Sequence, residues 1–236
     1  MNTQLEALIA KSSKIVFFGG AGVSTESGIP DFRSQDGLYN QQYDYPPEEI
    51  LSHSFFIRNQ AEFYRFYRDK LIVKNAQPNA AHMRLAKLER EGKLLAVITQ
   101  NIDGLHQMAG SKNVLELHGS TLRNYCTKCG KFYDVDFIAS SAEVPKCTVC
   151  GGIVKPDVVL YEEGLDEAVL QKSVDAIRSA DLLIVGGTSL AVYPAAGLLR
   201  YYHGRKLVVI NKTKTPADDA ATLIIHEPIG DVLCEK

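Results

Sequence analysis

Two cysteine pairs, Cys126-x2-Cys129 and Cys147-x2-Cys150, lie 17 residues apart in a chain that otherwise alternates apolar runs with amphipathic ones. Two CxxC knuckles at this separation have the spacing of one tetrahedral zinc ion held by four thiolates. Each knuckle is followed by a glycine (Gly130, Gly151), a residue that tolerates the left-handed turn needed to wrap thiolates around one ion. The competing reading is a pair of disulfides in a secreted protein. Four protein ligands leave zinc no open position for water or substrate, so the expected role is structural. The chemistry must then be sought outside the cysteines.

The remainder of the sequence limits where to look. Its 236 residues suffice for one sizeable core, or for one large and one small domain. A hydrophobic content of 45%, a charged content of 23% and a net charge of −2 are those of an ordinary globular protein. They argue against a polyanion-binding protein, so nucleic acid is not expected as a direct ligand. The N-terminal segment lacks the basic flank and apolar stretch of a signal peptide. The uncharged run Leu182–Leu199 contains Gly186, Gly187 and Pro194 and reads as strand, turn and helix, so no membrane partner is expected. Thiolate ligands fit a reducing compartment, and a cytoplasmic location is the expectation. Cys234 reads as a small buried or peripheral residue.

Four short apolar runs, Lys14–Gly19, Leu94–Gln100, Asp181–Gly186 and Lys206–Asn211, have the form of buried parallel strands. Helical patterns fall between them, at roughly 59–75, 80–91, 165–179 and 194–203. Strands alternating with helices of this length predict an α/β fold, a doubly wound parallel sheet with a small inserted zinc-binding domain. The expected division is 1–120 with 156–236 for the sheet domain and 121–155 for the zinc module. A helical insertion near 35–75 is grouped with the small domain.

Open α/β sheets bind ligands at the C-terminal ends of their strands, so the loops there are the places to read. After the first run comes Gly19-Gly20-Ala21-Gly22-Val23-Ser24-Thr25, whose small residues let backbone amides approach a phosphate and aim a helix N-terminus at it. The match to the dinucleotide fingerprint is incomplete, because Thr25 stands where the third glycine belongs. The second run ends in Gln100-Asn101-Ile102-Asp103, polar groups that are costly to bury without a ligand or a partner. Helix capping by Asn101 or Asp103 is the alternative. Val114–Gly119 places His118 at another strand end, where an imidazole titrating near neutrality suits a general base. Gly187-Thr188-Ser189 and Asn211-Lys212 close two further strands, the latter also readable as a plain turn. His53, His82, His106, His203 and His226 read as helix or surface residues.

Taken together, GAGVSTESGIPDFRS, TQNIDGLH, ELHG, the paired CxxC motifs, VKPDVVLYEE and GTSLAVYPAA resemble the sirtuins, NAD-dependent protein lysine deacylases, in their compact prokaryotic form. The motifs run in the same order from about residue 11 to 232. The resemblance implies that Gly20, Ala21, Gly22, Thr25, Asp31, Phe32 and Arg33 line the NAD pocket. Gln100 and Asn101 would hold the nicotinamide ribose and a water, and Ile102 and Asp103 the carboxamide. Gly187, Thr188, Ser189, Asn211, Lys212 and Ile229–Asp231 would hold the adenosine end. His118 would be the general base, with Asn101 and Asp103 also in the catalytic set. The acyl-lysine carbonyl oxygen would attack the nicotinamide ribose, and the products would be nicotinamide, free lysine and O-acyl-ADP-ribose. Val158, Val159, Tyr161 and Glu162 would pair with the substrate backbone as an added strand.

The sequence departs from the family pattern at Gly19, where threonine or serine is usual, and at Tyr161-Glu162-Glu163, where Phe-Gly-Glu is common. Members that prefer acidic acyl groups carry Tyr-x-x-Arg near residue 64. Here Tyr67 stands three residues on and Arg68 four on, which reads as a solvated arginine and favours acetyl-lysine as substrate. Two rival functions remain: protein mono-ADP-ribosylation, and a zinc-ribbon binding module on a nucleotide-sensing scaffold.

Overall fold

The computed structural model describes residues 2–32, 37 and 44–234. Five strands expected from sequence, β1 (Ile15–Gly19), β2 (Leu94–Thr99), β3 (Val114–Glu116), β7 (Leu182–Gly186) and β8 (Leu207–Ile210), form one parallel sheet. A sixth, β9 (Leu223–Ile225), extends its edge. The strand order is β3-β2-β1-β7-β8-β9, every neighbouring pair parallel. The order reverses between β1 and β7, which makes the crevice at their C-terminal ends the topological switch point of a doubly wound sheet.

Every residue of β1 and β7 is buried, because both faces of the sheet are covered. Ile15 and Phe17 point to a core closed by α1 (Thr3–Ala10), α5 (Ala80–Arg90) and α9 (Ile229–Leu233). Val16 and Phe18 point to the opposite core, closed by α8 (Glu167–Ser179) and residues 195–201. Asn2, Asn79 and Asp166 cap α1, α5 and α8 by accepting backbone N–H bonds, which fixes where these helices begin.

The small lobe carries a separate antiparallel sheet of β5 (Phe132–Tyr133), β4 (Gly119–Cys126) and β6 (Val154–Val158), with α7 (Val135–Ser140). A third apolar cluster joins it to α2 (Pro47–Ile50), α3 (His53–Arg58) and α4 (Gln60–Phe66). Phe55, Phe56, Phe63, Tyr64, Phe66 and Tyr67 pack with Tyr133, Ile138, Val154, Val158 and Leu160. The buried Tyr64 hydroxyl donates to the Val154 carbonyl at 2.7 Å, tying the helical insertion to the zinc module.

Three expectations are corrected in detail. The loop after β1 forms two single 3-10 turns, Ala21–Val23 and Thr25–Ser27, where a helix N-terminus was expected. Gly28, at φ +82°, and Pro30 end the run. The segment at 194–203 is also a 3-10 helix, Ala195–Tyr201. The helix at 59–75 is shorter, passing from α4 into one π turn at Tyr67–Leu71. Among the described residues, no helix is long and apolar enough to cross a membrane.

Candidate active site

At the switch point two glycine loops cross at van der Waals contact. Gly22 N donates to Gly187 O at 2.8 Å, and Gly20 N donates to Gly186 O at 3.3 Å. A Cβ built on Gly22 would lie 2.9 Å from Gly187 Cα, and one on Gly187 would lie 2.3 Å from Val23 N. Side chains at these positions would force the loops apart, so the glycines let the two loops cross with their backbones in direct contact. Thr25, at the third glycine position, turns its hydroxyl back onto Gly22 O at 3.1 Å and closes the loop on itself.

The loop after β2 meets this crossing through Ser24. Asn101 Nδ2 donates to Ser24 Oγ at 3.0 Å, and Ser24 Oγ donates to Asp103 Oδ2 at 2.6 Å. The other Asp103 oxygen accepts Leu105 N at 2.9 Å. Gln100 Nε2 donates to Thr188 Oγ1 at 3.1 Å, spanning from β2 to the loop after β7. These bonds hold an amide, a second amide and a carboxylate in fixed orientations at the crevice, which answers the desolvation cost anticipated from the sequence. Asp103 makes a local turn into α6 (Leu105–Met108), whose N-cap is Gly104, so the capping alternative is met one residue early.

His118 lies half-buried between β3 and β4. Its Nδ1 is 3.0 Å from Gln100 O. A carbonyl can only accept, so in neutral imidazole Nδ1 carries the proton and Nε2 keeps a free lone pair. Burial lowers the His118 pKa below its ordinary value, while the bond to Gln100 O pulls it upward. The ring is therefore neutral and basic at physiological pH.

The other expected cofactor positions surround the crevice less tightly. Ile229 is buried in the core, where its Cδ1 would lie 2.3 Å from a Cβ on Gly186. Ser189, Lys212 and Asp231 are exposed, and Asn211 spends its amide on Thr213 O at 2.8 Å. Ala21 and Asp31 are half-buried, Phe32 packs against the third cluster, and Ile102 O accepts from Thr121. Arg33 lies outside the described residues.

Along the substrate segment, Val159 N donates to His118 O at 3.0 Å. Tyr161 N donates to Leu51 O and Tyr161 O accepts from His53 N, each at 2.9 Å. One edge of the segment is thus already paired, and a peptide strand would have to use the opposite edge. Glu162 takes φ +74°, the left-handed conformation that glycine adopts freely. Its carboxylate is anchored on Ser54, at 2.9 Å to the amide and 3.0 Å to the hydroxyl. Arg68 is less solvated than the sequence suggested, because it donates to Glu143 O at 2.9 Å and lies over the Tyr64 ring.

The four cysteine sulfurs lie within 4.8 Å of one another. The Cys126–Cys150 and Cys129–Cys147 separations are 3.4 and 3.6 Å, too long for disulfides and close to the S···S edge of a zinc tetrahedron. Gly130 and Gly151 have φ +70° and +67°, as the knuckle turns require. Amides of Lys128 and Val149 point at Cys126 and Cys147 from 3.4 Å, and the Tyr133 hydroxyl donates to Cys147 Sγ at 3.2 Å. These donors stabilise thiolates, and the set is chemically matched to one zinc ion.

Sequence reasoning passed over two features. Ser24 was read only as part of the glycine turn, although it joins Asn101 to Asp103. His82 and His106 are in helices as expected but wholly buried, with ring centroids 4.7 Å apart. The alternation of TQNIDGLH with PNAAH carried no local sign that the two histidines meet.

A family model described as "Sir2 family" matches residues 20–194. The NAD-dependent protein deacetylase of Clostridium acetobutylicum is 62% identical over 233 residues, covering 98% of this chain and 95% of that protein. The enzyme of the same description from Clostridium perfringens is 63% identical over 233 residues, with 98% and 96% coverage. Among solved structures, a Sir2 complex with deacetylated p53 peptide and 3'-O-acetyl ADP ribose superposes with a TM-score of 0.90 at 41% identity, covering 98% of this chain and 94% of that one. A Sir2–p53 peptide–NAD+ complex gives a TM-score of 0.87 at 41% identity, with 99% and 96% coverage.

Proposed function

The chain belongs to the Sir2 family, and on that premise we propose that it is an NAD-dependent protein lysine deacetylase with His118 as its general base. NAD would supply the electrophile: the carbonyl oxygen of acetyl-lysine would displace nicotinamide from the ribose, a ribose hydroxyl would attack the resulting imidate, and one water would complete the release of lysine and O-acetyl-ADP-ribose. The observation that carries the residue assignment is the single hydrogen-bonded set at the switch point, Asn101–Ser24–Asp103 beside Gln100–His118.

The crossing glycine loops of Gly20, Gly22 and Gly187 would seat the pyrophosphate, since they pack so closely on each other that no side chain projects from them at the crevice. Thr188, Ser189, Asn211, Lys212 and the first residues of α9, Ile229–Asp231, would take the adenosine end. Asp103 and the Ile102 backbone would hold the carboxamide, and Asn101 the ribose and a water. Departure of nicotinamide leaves positive charge on the sugar, and fixed dipoles stabilise such charge without reorganising. Phe32 would shield that face from water. His118 Nε2, with its lone pair free, would take a proton from a ribose hydroxyl.

Acyl-lysine would enter between the lobes along Val158, Val159, Tyr161 and Glu162, in a protein partner with modest sequence preference. Arg68, four residues after Tyr64, is engaged by Glu143 O and the Tyr64 ring, and acetyl-lysine stays ahead of acidic acyl groups as the expected substrate. We divide the chain into a sheet domain, 1–120 with 156–236, and a zinc module, 121–155, with the helical insertion near 35–75 joined to the latter. The shared third core supports that grouping. Four reduced thiols suit the cytoplasm, and neither a membrane nor nucleic acid is a partner in this reading.

Mass spectrometry of an acetyl-lysine peptide, with and without NAD, tests the reaction. Loss of the acetyl group only with NAD, together with O-acetyl-ADP-ribose, is the expected result. ADP-ribose retained on protein would instead establish mono-ADP-ribosylation.

A further inference from the structure

We propose that Arg123 is a positioning residue that sets His118 and the substrate strand in register across the two lobes. This inference rests on the deacetylase reading and deepens it. The starting observation is an interruption in the β4–β6 ladder. Gly119 pairs with Val158 and Ser120 with Asp157, but pairing resumes only at Asn124 with Pro156. Three residues, Thr121, Leu122 and Arg123, are therefore extra on β4, a wide bulge at the point where the chain leaves the catalytic histidine.

Two bulge residues hold the loop after β2, and the third joins two other segments. Thr121 donates to Ile102 O from both its amide, at 2.9 Å, and its hydroxyl, at 3.0 Å. Leu122 lies against Gly104, its Cδ1 only 2.6 Å from where a Cβ would be. Arg123 turns back the other way. Its NH2 nitrogen is 2.7 Å from Glu116 Oε2 and its Nε is 2.8 Å from Asp157 Oδ2. Glu116 stands two residues before His118, and its second oxygen accepts from Gln107 Nε2 of α6 at 2.6 Å. Asp157 stands one residue before Val158. One guanidinium thus joins the base's strand to the strand that would bind peptide.

The arrangement is poorly explained as a stability device. The Arg123 and Asp157 side chains are 38% and 42% exposed. A pair as open as Arg123–Asp157 contributes between nothing and about 1 kcal/mol, while Arg123–Glu116, with Glu116 10% exposed, is the more sheltered of the two. A planar guanidinium with two carboxylates instead fixes direction, because its donors are set at rigid angles. Misplacing reacting groups by about 1 Å can cost on the order of a hundredfold in rate. Orientation is what the triad provides.

The test compares Arg123→Met, Arg123→Lys and the wild type. Arg123→Met should lower kcat/KM for acetyl-lysine peptide by about tenfold or more, while the KM for NAD and the melting temperature stay near wild-type values. Arg123→Lys, which keeps the charge but not the fork, should recover only part of the loss. Hydrogen exchange read in the same proteins is independent of turnover: the amides at 102–103 and 158–160 should exchange faster in Arg123→Met. Peptide kcat/KM unchanged in Arg123→Met, or a loss matched by a fall in melting temperature, would overturn the proposal. Full recovery in Arg123→Lys would also overturn it. If the wild type proves inactive, the deacetylase reading has failed, and the exchange rates alone then decide whether Arg123 orders the two segments.

Discussion

The large lobe and the zinc lobe are held together by different means. In the large lobe, six parallel strands bury both faces, and β1 alone sends Ile15 and Phe17 into one core and Val16 and Phe18 into the other. Each such side chain contributes on the order of 2 kcal/mol by leaving water, so the sheet needs no cross-link. The small lobe has a β-strand of two residues, β5, and a ladder broken by a bulge. Its knuckles expose Cys129 and Cys150, which no apolar core covers. Metal coordination would supplement there a core that reaches Cys126 and Cys147 but not the two exposed cysteines. In the proposed reading the fixed strand ends would hold the reacting groups, and the zinc lobe would supply the opposing wall of the cleft.

Removing the metal is the most severe way to break this comparison. Structural zinc sites contribute on the order of 10 kcal/mol to folding. Chelation, or Cys147→Ser, should release the amides of 119–158 to rapid hydrogen exchange while β1, β2 and β7 keep their protection. Equal loss in both lobes would show that the sheet depends on the zinc module after all; undiminished protection of 119–158 would remove the structural role of zinc.

His118→Ala acts at the strand ends and leaves both cores intact. Turnover should fall by about 10²- to 10⁴-fold with no change in melting temperature. The pH profile of the wild type sharpens the assignment. Burial lowers the His118 pKa, so the acidic limb of kcat/KM should lie below the ordinary histidine value of about 6.5. An acidic limb above that value, or a variant with near-normal turnover, would refute the base.

The smallest effect belongs to the large lobe alone. Burial depresses His82 to about 4, and burial with the neighbouring His82 depresses His106 to about 3. Both are neutral in the fold, whereas the unfolded chain protonates them near 6.5. Between those values the unfolded chain binds more protons, so stability is complete above about pH 6.5 and declines as pH falls. At pH 5 the loss is on the order of 2 kcal/mol for each. Glu163 and Asp181, whose pKa values are lowered, act only at still lower pH. Urea midpoints at pH 7 and pH 5 measure the decline, and His106→Phe should make it shallower. A midpoint independent of pH over that range would be incompatible with neutral, buried imidazoles.

Much of the candidate site is legible in the sequence because its motifs are local. Gly20-x-Gly22 and Gln100–Asp103 sit directly after apolar runs, so strand and loop come from adjacent residues. Ser24 was not readable as a hub, since its partners are 77 and 79 residues away. The buried meeting of His82 and His106 was hidden for the same reason. β9 escaped notice because three residues are too few to show a period.

The sequence by itself determined the zinc ligands, the parallel strands and the identity of the polar groups at their ends. Each of these follows from ligand spacing, hydrophobic period or turn chemistry within a few residues. Tertiary structure decided the tautomer of His118, the occupation of one edge at Tyr161 and the path of Arg123 between Glu116 and Asp157. Those depend on hydrogen-bond partners from other elements, and a partner's direction exists only once both elements are packed.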